Sequence, residues 1–329
     1  MSRKTARAWT CTAGVFLLTV MAGAAYLTLS PRGAAAIPTI AFIPQTAGAM
    51  LWEVEHLGAT VAAEKLKCRL YWNAPTSEND TAGQVSLIDR VSRGKYQGLV
   101  LAPNHPLAIL APLRHALAAG LTVVIVSAQL DLPAGNKLAY IVNDDEKMGE
   151  LAAAEIARLI DGKGSIALVG ITRSAPGVIR RVRGAERLLA GQFPQIQVVA
   201  RLPGAYNTPR AEEVTHSAID SNPGLKAVLS FTAASTRGVN AALKSRSRQK
   251  TISLVGCEQD SDLIADVGNG EIAAILAENT YRMGYEAVGL ISASLAGKPL
   301  PARSLVPPLL ITKRNVNSAE ASLFTSFPK

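Results

Sequence analysis

Short apolar runs alternate with longer amphipathic stretches along residues 37–329, and this alternation constrains the fold more than any other feature. The short runs are rich in Val, Ile and Leu at consecutive positions, which is typical of parallel strands covered by helices on both faces. The stretches between them have helical length, and such alternation favours right-handed β–α–β units. The predicted strands are Thr39–Ile43, Cys68–Trp72, Gly98–Leu101, Thr122–Val126, Ala139–Val142, Ser165–Val169, Ile196–Arg201, Ala227–Ser230, Ile252–Val255 and Ala273–Leu276. The predicted helices include Trp52–Lys65, Ala82–Arg93, Leu107–Ala119, Asp145–Ile160, Ile179–Gly191 and Tyr281–Leu295.

The number of strands predicts two sheets, because ten strands in one open sheet would be unusual. No Gly-, Ser- or Pro-rich linker separates the halves, and Tyr140–Asn143 joins a strand directly to a helix that begins near Asp144. We therefore predict an α/β protein with two doubly wound parallel-sheet lobes joined by short hinge segments. A Pro-rich piece, Pro299–Pro308, precedes a last short strand at Leu309–Lys313, and the polar tail 316–329 is expected to be poorly ordered.

The N-terminus has the pattern of an export signal. The basic stretch MSRKTAR precedes Ala8–Leu29, which contains no charged residue, and small residues follow at Ala34–Ala36. The apolar run is long for a cleaved signal and near the length of a membrane span, so residues 1–36 are either a signal peptide or a retained anchor. Both place the rest of the chain outside the cytoplasm, because the basic cluster stays inside. Cys11 lies outside a lipobox-like context, so no lipoprotein is predicted.

Charge and cysteine content exclude some classes of protein. The formal charge is +9, but Arg3, Lys4, Arg7 and Arg32 lie in the first 36 residues, and without them 30 basic residues face 25 acidic ones. The remaining excess is dispersed, which is typical of a solvated surface rather than a nucleic-acid patch. Cys68 and Cys257 could pair in an oxidising compartment, but each lies in or beside an apolar run, which favours two separate buried thiols.

Catalytic motifs are absent from the sequence. The four histidines show no metal-binding spacing, and there is no CxxC, nucleophile elbow or P-loop. The string from Gly268 to Ala273 resembles G-x-G-x-x-A, but it follows a helix and precedes a strand, the reverse of a dinucleotide site. It is better interpreted as a helix end. We therefore expect no cofactor, no metal and no enzymatic activity.

Polar and aromatic residues follow the ends of several predicted strands. In doubly wound sheets such positions converge on one crevice, where a small ligand binds. Aromatic rings can cover the C–H face of a sugar, and charged groups bond strongly to its hydroxyls. Each residue has a structural alternative: Trp52 could pack beneath its loop, Arg181 could belong to a solvated basic helix face, and Glu258 could cap a helix. The candidates are Gln45, Trp52, Ser127, Gln129, Arg181, Tyr206, Thr232, Glu258 and Glu278.

The chain from about Ile37 to Val316 resembles the ribose-binding-protein-like (type I) periplasmic solute-binding proteins, the ligand-capturing components of sugar ABC importers. The resemblance implies two lobes joined by three crossovers, with the ligand clamped between them. It places residues 37–141 and 279–308 in an N-terminal lobe, and 142–278 and 309–315 in a C-terminal lobe. The segments that carry it are PTIAFIPQTAGAMLWEVEHLGATVAAEKL, GLVLAPNHPLAI, TVVIVSAQ, YIVNDDEKMGELAAAEIA, RVRGA, NPGLKAVLS, ISLVGCEQ and NGEIAAILAEN.

The resemblance also implies ligand contacts in the N-terminal lobe. In the first loop these fall on Gln45 and on Ala49, where the family has an Asn. The family's two stacked aromatic residues correspond to Leu51 and Trp52, so one ring is missing. Its sugar-binding Asp-Arg pair falls on Ser127–Ala128, which is a large departure.

In the C-terminal lobe the implied contacts are better preserved. Arg181 matches the ligand arginine of an R-x-x-G pattern, and Tyr206 matches the aromatic residue after the next strand. Thr232, Glu258 and Glu278 stand where the family has Asn, Asp and Gln. The scaffold is therefore kept while the pocket is changed, so ribose itself is not expected. An unusual sugar, a sugar derivative or an amine-bearing ligand fits better.

These observations predict an exported solute-binding protein that hinges near Val142, Asn279 and Pro308 and delivers its ligand to an importer's membrane subunits. The alternative is a membrane-anchored module that presents a bound small molecule to a receptor or kinase. An enzyme on the same fold is a weaker third option. The same lobes occur in repressors of the lactose-repressor type, but an apolar segment replaces the DNA-binding headpiece here, so no nucleic-acid partner is expected.

Overall fold

The computed structural model describes residues 37–48, 50–77 and 79–323, and these ranges contain twelve strands and ten helices. The predicted signal or anchor at residues 8–29 lies outside the described residues, as do Ala49 and residues 324–329. Within the described ranges, no helix combines the length and apolarity needed to cross a lipid bilayer.

The first sheet has six parallel strands in the order β11-β5-β4-β3-β1-β2. We call this sheet and the four helices packed with it lobe 1. Its strands are β1 (Thr39–Ile43), β2 (Arg69–Trp72), β3 (Gly98–Leu101), β4 (Thr122–Val126), β5 (Leu138–Asn143) and β11 (Arg303–Val306). Its helices are α1 (Met50–Leu66), α2 (Thr81–Arg93), α3 (Leu110–Ala118) and α9 (Thr280–Leu295).

The second sheet also has six strands, in the order β12-β10-β9-β8-β6-β7, and only β12 is antiparallel to its neighbour. We call this sheet and its helices lobe 2. Its strands are β6 (Gly164–Val169), β7 (Ile196–Leu202), β8 (Leu225–Ser230), β9 (Ser253–Cys257), β10 (Ala274–Ala277) and β12 (Leu309–Thr312). Its helices are α4 (Asp145–Leu159), α5 (Pro176–Gln192), α6 (Thr208–Ser221), α7 (Ala233–Ser245), α8 (Ser261–Asn269) and the short α10 (Ala319–Ser322).

Each sheet has an apolar core on both faces. In β1, Ile40 and Phe42 pack in one cluster while Ala41 and Ile43 pack in the cluster on the opposite face. Strand β6 divides its side chains between two clusters in the same way. Successive residues of a strand point to opposite faces, so burial on both sides requires a continuous apolar run rather than an alternating one. This is why the strands could be recognised from the sequence.

The chain passes between the lobes three times: from β5 to α4, from β10 to α9, and from β11 to β12. Two of these crossovers enter capped helices directly. The side chain of Asp144 accepts a hydrogen bond from the Lys147 N–H at 3.1 Å, and that of Asn279 accepts one from the Arg282 N–H at 3.0 Å. A capped first turn holds the residues on either side of each crossover in a defined orientation.

The structure differs from two expectations and confirms others. Strand β11 lies within the Pro-rich Pro299–Pro308 segment, where no strand is predicted; Arg303 and Leu305 are exposed, so it lacks the apolar run of the other strands. In the tail, which is expected to be poorly ordered, residues 319–322 form α10 and Ala321 is buried. Gly270 ends α8 in the left-handed conformation (φ 80°), as the helix-end interpretation predicted. Cys68 and Cys257 are unpaired, and burial raises the pKa of the Cys257 thiol to about 12.

Helices α4 and α5 approach closely through two glycines. A Cβ at Gly149 would lie 1.8 Å from the carbonyl oxygen of Arg181, and one at Gly184 would lie 2.1 Å from that of Glu146. A side chain at either position would push the helices apart. The contact at Gly149 therefore sets the position of the Arg181 backbone.

We expect Gly149→Ala to lower the free energy of unfolding by about 1–3 kcal/mol, because the added methyl group overpacks the helix contact. Gly191→Ala on α5 is the matched control, since nothing lies within 4 Å of a Cβ there. Replacing an exposed helical glycine with alanine stabilises by up to about 1 kcal/mol. Urea unfolding followed by circular dichroism measures both changes, and equal effects of the two substitutions would contradict the close packing.

Candidate functional site

A cavity of about 360 Å³ lies between the two lobes. Lobe 1 contributes Ser127, Ala128 and Gln129 after β4, and Asn143 at the end of β5. Lobe 2 contributes the first turn of α4, the start of α5 and the residue after β10. The volume falls in the range of small-molecule sites, and the position at the carboxyl ends of parallel strands is where such sites form.

Arg181 on α5 is the central charged group of this region, and its side chain is only 4% exposed. Its Nε donates to Asp145 at 2.9 Å, Nη1 donates to Glu258 at 2.6 Å and to the Phe231 carbonyl at 3.0 Å, and Nη2 donates to Glu278 at 2.9 Å. Burial opposes the charge, but the nearby carboxylates outweigh it and raise the pKa of Arg181. The guanidinium therefore holds together three acidic residues from separate parts of lobe 2.

Asp145 bridges two arginines at the start of α4. Its Oδ1 accepts from Arg181, and its Oδ2 accepts from Arg180 Nε at 3.2 Å and from Nη2 at 2.8 Å. The side chain is 6% exposed, so its charge is stabilised by these two partners rather than by water. The preceding acid, Asp144, caps α4 instead.

Glu258 follows β9 in a left-handed backbone conformation, φ 67°, and Ser127 follows β4 with φ 62°. Such values are uncommon for residues other than glycine and often mark functional positions. The second carboxylate oxygen of Glu258 accepts a hydrogen bond from the Ala233 N–H at the start of α7, at 3.1 Å. Glu258 is therefore held from two sides, by Arg181 and by the first turn of a helix.

Glu278 occupies the crossover after β10. Its backbone N–H donates to the side-chain oxygen of Gln259 at 2.8 Å, and the Gln259 amide donates back to the Glu278 carbonyl at 3.1 Å. Burial raises the pKa of the Glu278 carboxyl to about 7, although Arg181 partly offsets the shift. Sequence reasoning did not identify Gln259, whose pairing with the Glu278 backbone fixes the position of this crossover.

A further carboxyl group, Glu55 on α1, lies close enough to Glu278 to interact with it electrostatically. Glu55 is completely buried, and neither of its oxygens has a hydrogen-bond partner among the described residues. Burial and, secondarily, repulsion from Glu278 raise the pKa of Glu55 well above its ordinary value. Glu55 lies one turn further along α1 than Trp52, beyond the residues after strand β1 that the sequence indicates as candidates.

The structure distributes the candidate residues unevenly. Ser127, Gln129, Arg181 and Glu278 line the cavity, and Glu258 contacts Arg181 beside it. Tyr206 is 65% exposed, but its pKa is raised by burial of the hydroxyl and by the charge of Glu258, which places it near the same cluster.

The other candidates contact protein. Trp52 is 4% exposed and packs in the apolar core of lobe 1, with Leu51 packed against the same cluster. Thr232 is fully buried, caps α7 and donates to the Ala205 carbonyl. Gln45 donates to the Pro103 carbonyl at 3.0 Å and so ties two loops of lobe 1 together. Trp52 therefore packs against protein, which is the structural alternative given for it above.

Comparison with known proteins identifies the family. A sequence model of the periplasmic binding protein domain matches residues 40–299. The chain belongs to the periplasmic binding protein family. This is a non-enzymatic family whose members act outside the cytoplasm.

Individual relatives are distant but cover most of the chain. The D-allose-binding periplasmic protein of Escherichia coli is 24% identical over 253 residues, which is 73% of this chain and 81% of that protein. A ribose import binding protein of Bacillus subtilis is 25% identical over 240 residues, which is 72% of this chain and 76% of that protein.

Solved structures share the fold. A sugar-binding protein of a sugar ABC transporter from Bacillus halodurans has a TM-score of 0.78 at 21% identity and covers 85% of this chain and 98% of its own. The arabinose-binding protein of Geobacillus stearothermophilus has a TM-score of 0.77 at 20% identity, with the same coverage. These similarities confirm the predicted two-sheet α/β fold.

Because the carboxyl groups of Glu55 and Glu278 are buried, we expect the free energy of unfolding to fall as pH rises. Because the folded-state pKa values of Glu55 and Glu278 exceed 4.5, the folded protein binds these protons more tightly than the unfolded chain does. Their stabilising contribution is fully present below about pH 4.5 and is lost as pH rises through the folded values, near 7 for Glu278. We expect Glu55→Gln to raise the melting temperature at pH 8 more than at pH 5.

Thermal unfolding of the full chain at several pH values measures this difference. Glu64→Gln is the matched control, because Glu64 lies on the same helix but is exposed. A Glu55→Gln variant that is destabilised more at pH 8 than at pH 5 would contradict the burial of an uncompensated carboxyl group.

Proposed function

We propose that this protein is the solute-binding component of an ABC importer and captures a sugar or sugar derivative between its two lobes. The observation that carries the proposal is the cavity of about 360 Å³, which both lobes line with polar side chains. Relatives named for binding allose and ribose and a structural neighbour named for arabinose support a carbohydrate ligand.

Capture requires that a ligand contact both lobes, because only a ligand with differential affinity shifts an equilibrium between open and closed forms. Gln129 and Ser127 on lobe 1 face Arg181 and Glu278 on lobe 2 across the cavity. The three crossovers, near Val142, Asn279 and Pro308, are the segments about which the lobes hinge. In this proposal the closed form docks on the membrane subunits of the importer.

A second function is favoured by one observation in the sequence. Ala8–Leu29 contains no charged residue and is long enough to remain as an anchor at the inner membrane. An anchored protein would present its ligand to a receptor or kinase instead of carrying it to an importer. N-terminal sequencing of the mature protein separates the two: a start near Ile37 supports the importer component, and a start at Met1 supports the anchored sensor.

Isothermal titration of the full chain against pentoses, hexoses and their derivatives tests carbohydrate capture. We expect at least one class to bind, and small-angle scattering to show a more compact particle when it does. Gln129→Ala should weaken binding about tenfold, the cost of roughly one hydrogen bond. Gln195→Ala removes the same amide from an exposed position outside the cavity and should leave affinity unchanged. Absence of binding to every sugar and derivative would overturn the proposal.

A further inference from the structure

Arg181 has almost no hydrogen-bonding capacity left for a ligand. A guanidinium carries five N–H groups, and protein oxygens accept from four of those of Arg181. Arg180 donates to Asp145 through Nε and Nη2, which are two of its five N–H groups. Arg181 therefore acts mainly as a counter-ion of the carboxylates rather than as a donor to a bound molecule.

The inner end of the cavity has more acceptors than donors. Three carboxylates, Asp145, Glu258 and Glu278, surround Arg181. With Glu278 ionised, they exceed the two arginines of α5 by one negative charge. A further arginine on the cavity wall, Arg303, is exposed to solvent at the rim. Arg181 and Asp145 are the most buried of these groups, at 4% and 6% exposure, whereas Glu278 and Glu258 are 14% and 28% exposed. The carboxylates of Glu278 and Glu258 are therefore more accessible than the guanidinium between them.

An unpartnered oxygen on the cavity wall indicates independently that a donor is missing there. Asn143 lines the cavity and interacts with Glu278, and its Oδ1 is buried without a hydrogen-bond partner among the described residues. Buried polar atoms are ordinarily paired, so this acceptor favours a ligand that supplies a donor or the water that such a ligand displaces.

A protonated amine matches these features better than a hydroxyl group does. An ammonium group offers three donors, no acceptor and a positive charge, whereas a hydroxyl offers one donor and also brings two acceptor lone pairs close to the carboxylate oxygens. Charge-assisted hydrogen bonds are also about twice as strong as neutral ones. A carboxylate ligand would instead meet like charges at Glu258 and Glu278.

We propose that the inner end of the cleft selects a ligand bearing a protonated amine, an amino sugar or aminated polyol, with Glu278 as the selecting residue. The proposal rests on the capture function proposed above and names the ligand class for that same cavity. The remaining polar residues at the opening would bind the hydroxyl groups of such a ligand.

Matched trios of ligands test the proposal: a sugar, its amino derivative and its uronic acid, on the glucose, galactose and mannose skeletons, with 1-amino-1-deoxy polyols added. Isothermal titration of the full chain should show at least about tenfold tighter binding of the amine member. Glu278→Gln should lower the ratio of amine to neutral affinity. Glu64→Gln, the same change at an exposed position outside the cavity, should leave the ratio unaltered.

If a variant fails to fold, amine binding by the unaltered protein at several pH values still tests the proposal. Amine binding should weaken from pH 8 to pH 5.5, because the pKa of Glu278 is about 7 and its protonation removes the attraction. The charged and titratable groups that interact with Glu278 or share its cavity are Glu55, Asp145, Arg180, Arg181, Tyr206, Cys257, Glu258 and Arg303.

Failure of amine selection can be distinguished from failure of the proposed capture function. Equal or tighter binding of the neutral or uronic member, or an amine affinity that does not fall with pH, would overturn amine selection and leave sugar capture intact. Absence of binding by every member of every trio would overturn the capture function and the amine selection together.

Discussion

A single buried guanidinium organises the cleft. Arg181 neutralises carboxylates from the start of α4, the end of β9 and the crossover after β10, and it reaches them because Gly149 lets α4 and α5 pack closely. Removing the cation from such a cluster is far more costly than the net stability of the intact cluster, since the remaining charges would be buried without a partner. The positions of Asp145, Glu258 and Glu278 thus depend on one side chain.

This arrangement changes the role that the family resemblance implied for Arg181. The resemblance makes it a ligand contact, but its donors are occupied by protein oxygens, and the groups left to face a ligand are carboxylate oxygens. Specificity would then come from Glu258 and Glu278, which stand where the family has Asp and Gln. The left-handed backbone of Glu258 and the Gln259 bonds to the Glu278 backbone hold both groups in place before any ligand arrives.

The fold could be predicted from the sequence because the strands are buried on both faces, so residues such as Ile40 to Ile43 form a continuous apolar run. Strand β11 was missed because it lies at the edge of its sheet and alternates exposed residues, Arg303 and Leu305, with less exposed ones. In the site, Arg181 and Glu278 were found because they follow strand ends. Glu55 could not be found that way, since only the packing of α1 against α9 shows that its face of the helix is buried.

A crystal structure of the full chain with a bound ligand would show directly whether Arg181 or the carboxylates contact the ligand. We expect Arg181 to keep its bonds to Asp145, Glu258 and Glu278, and donor atoms of the ligand to lie within about 3 Å of the Glu278 and Glu258 oxygens, the usual hydrogen-bond distance. An Arg181 that releases Glu258 and Glu278 and donates to the ligand through several N–H groups would contradict this role of the guanidinium.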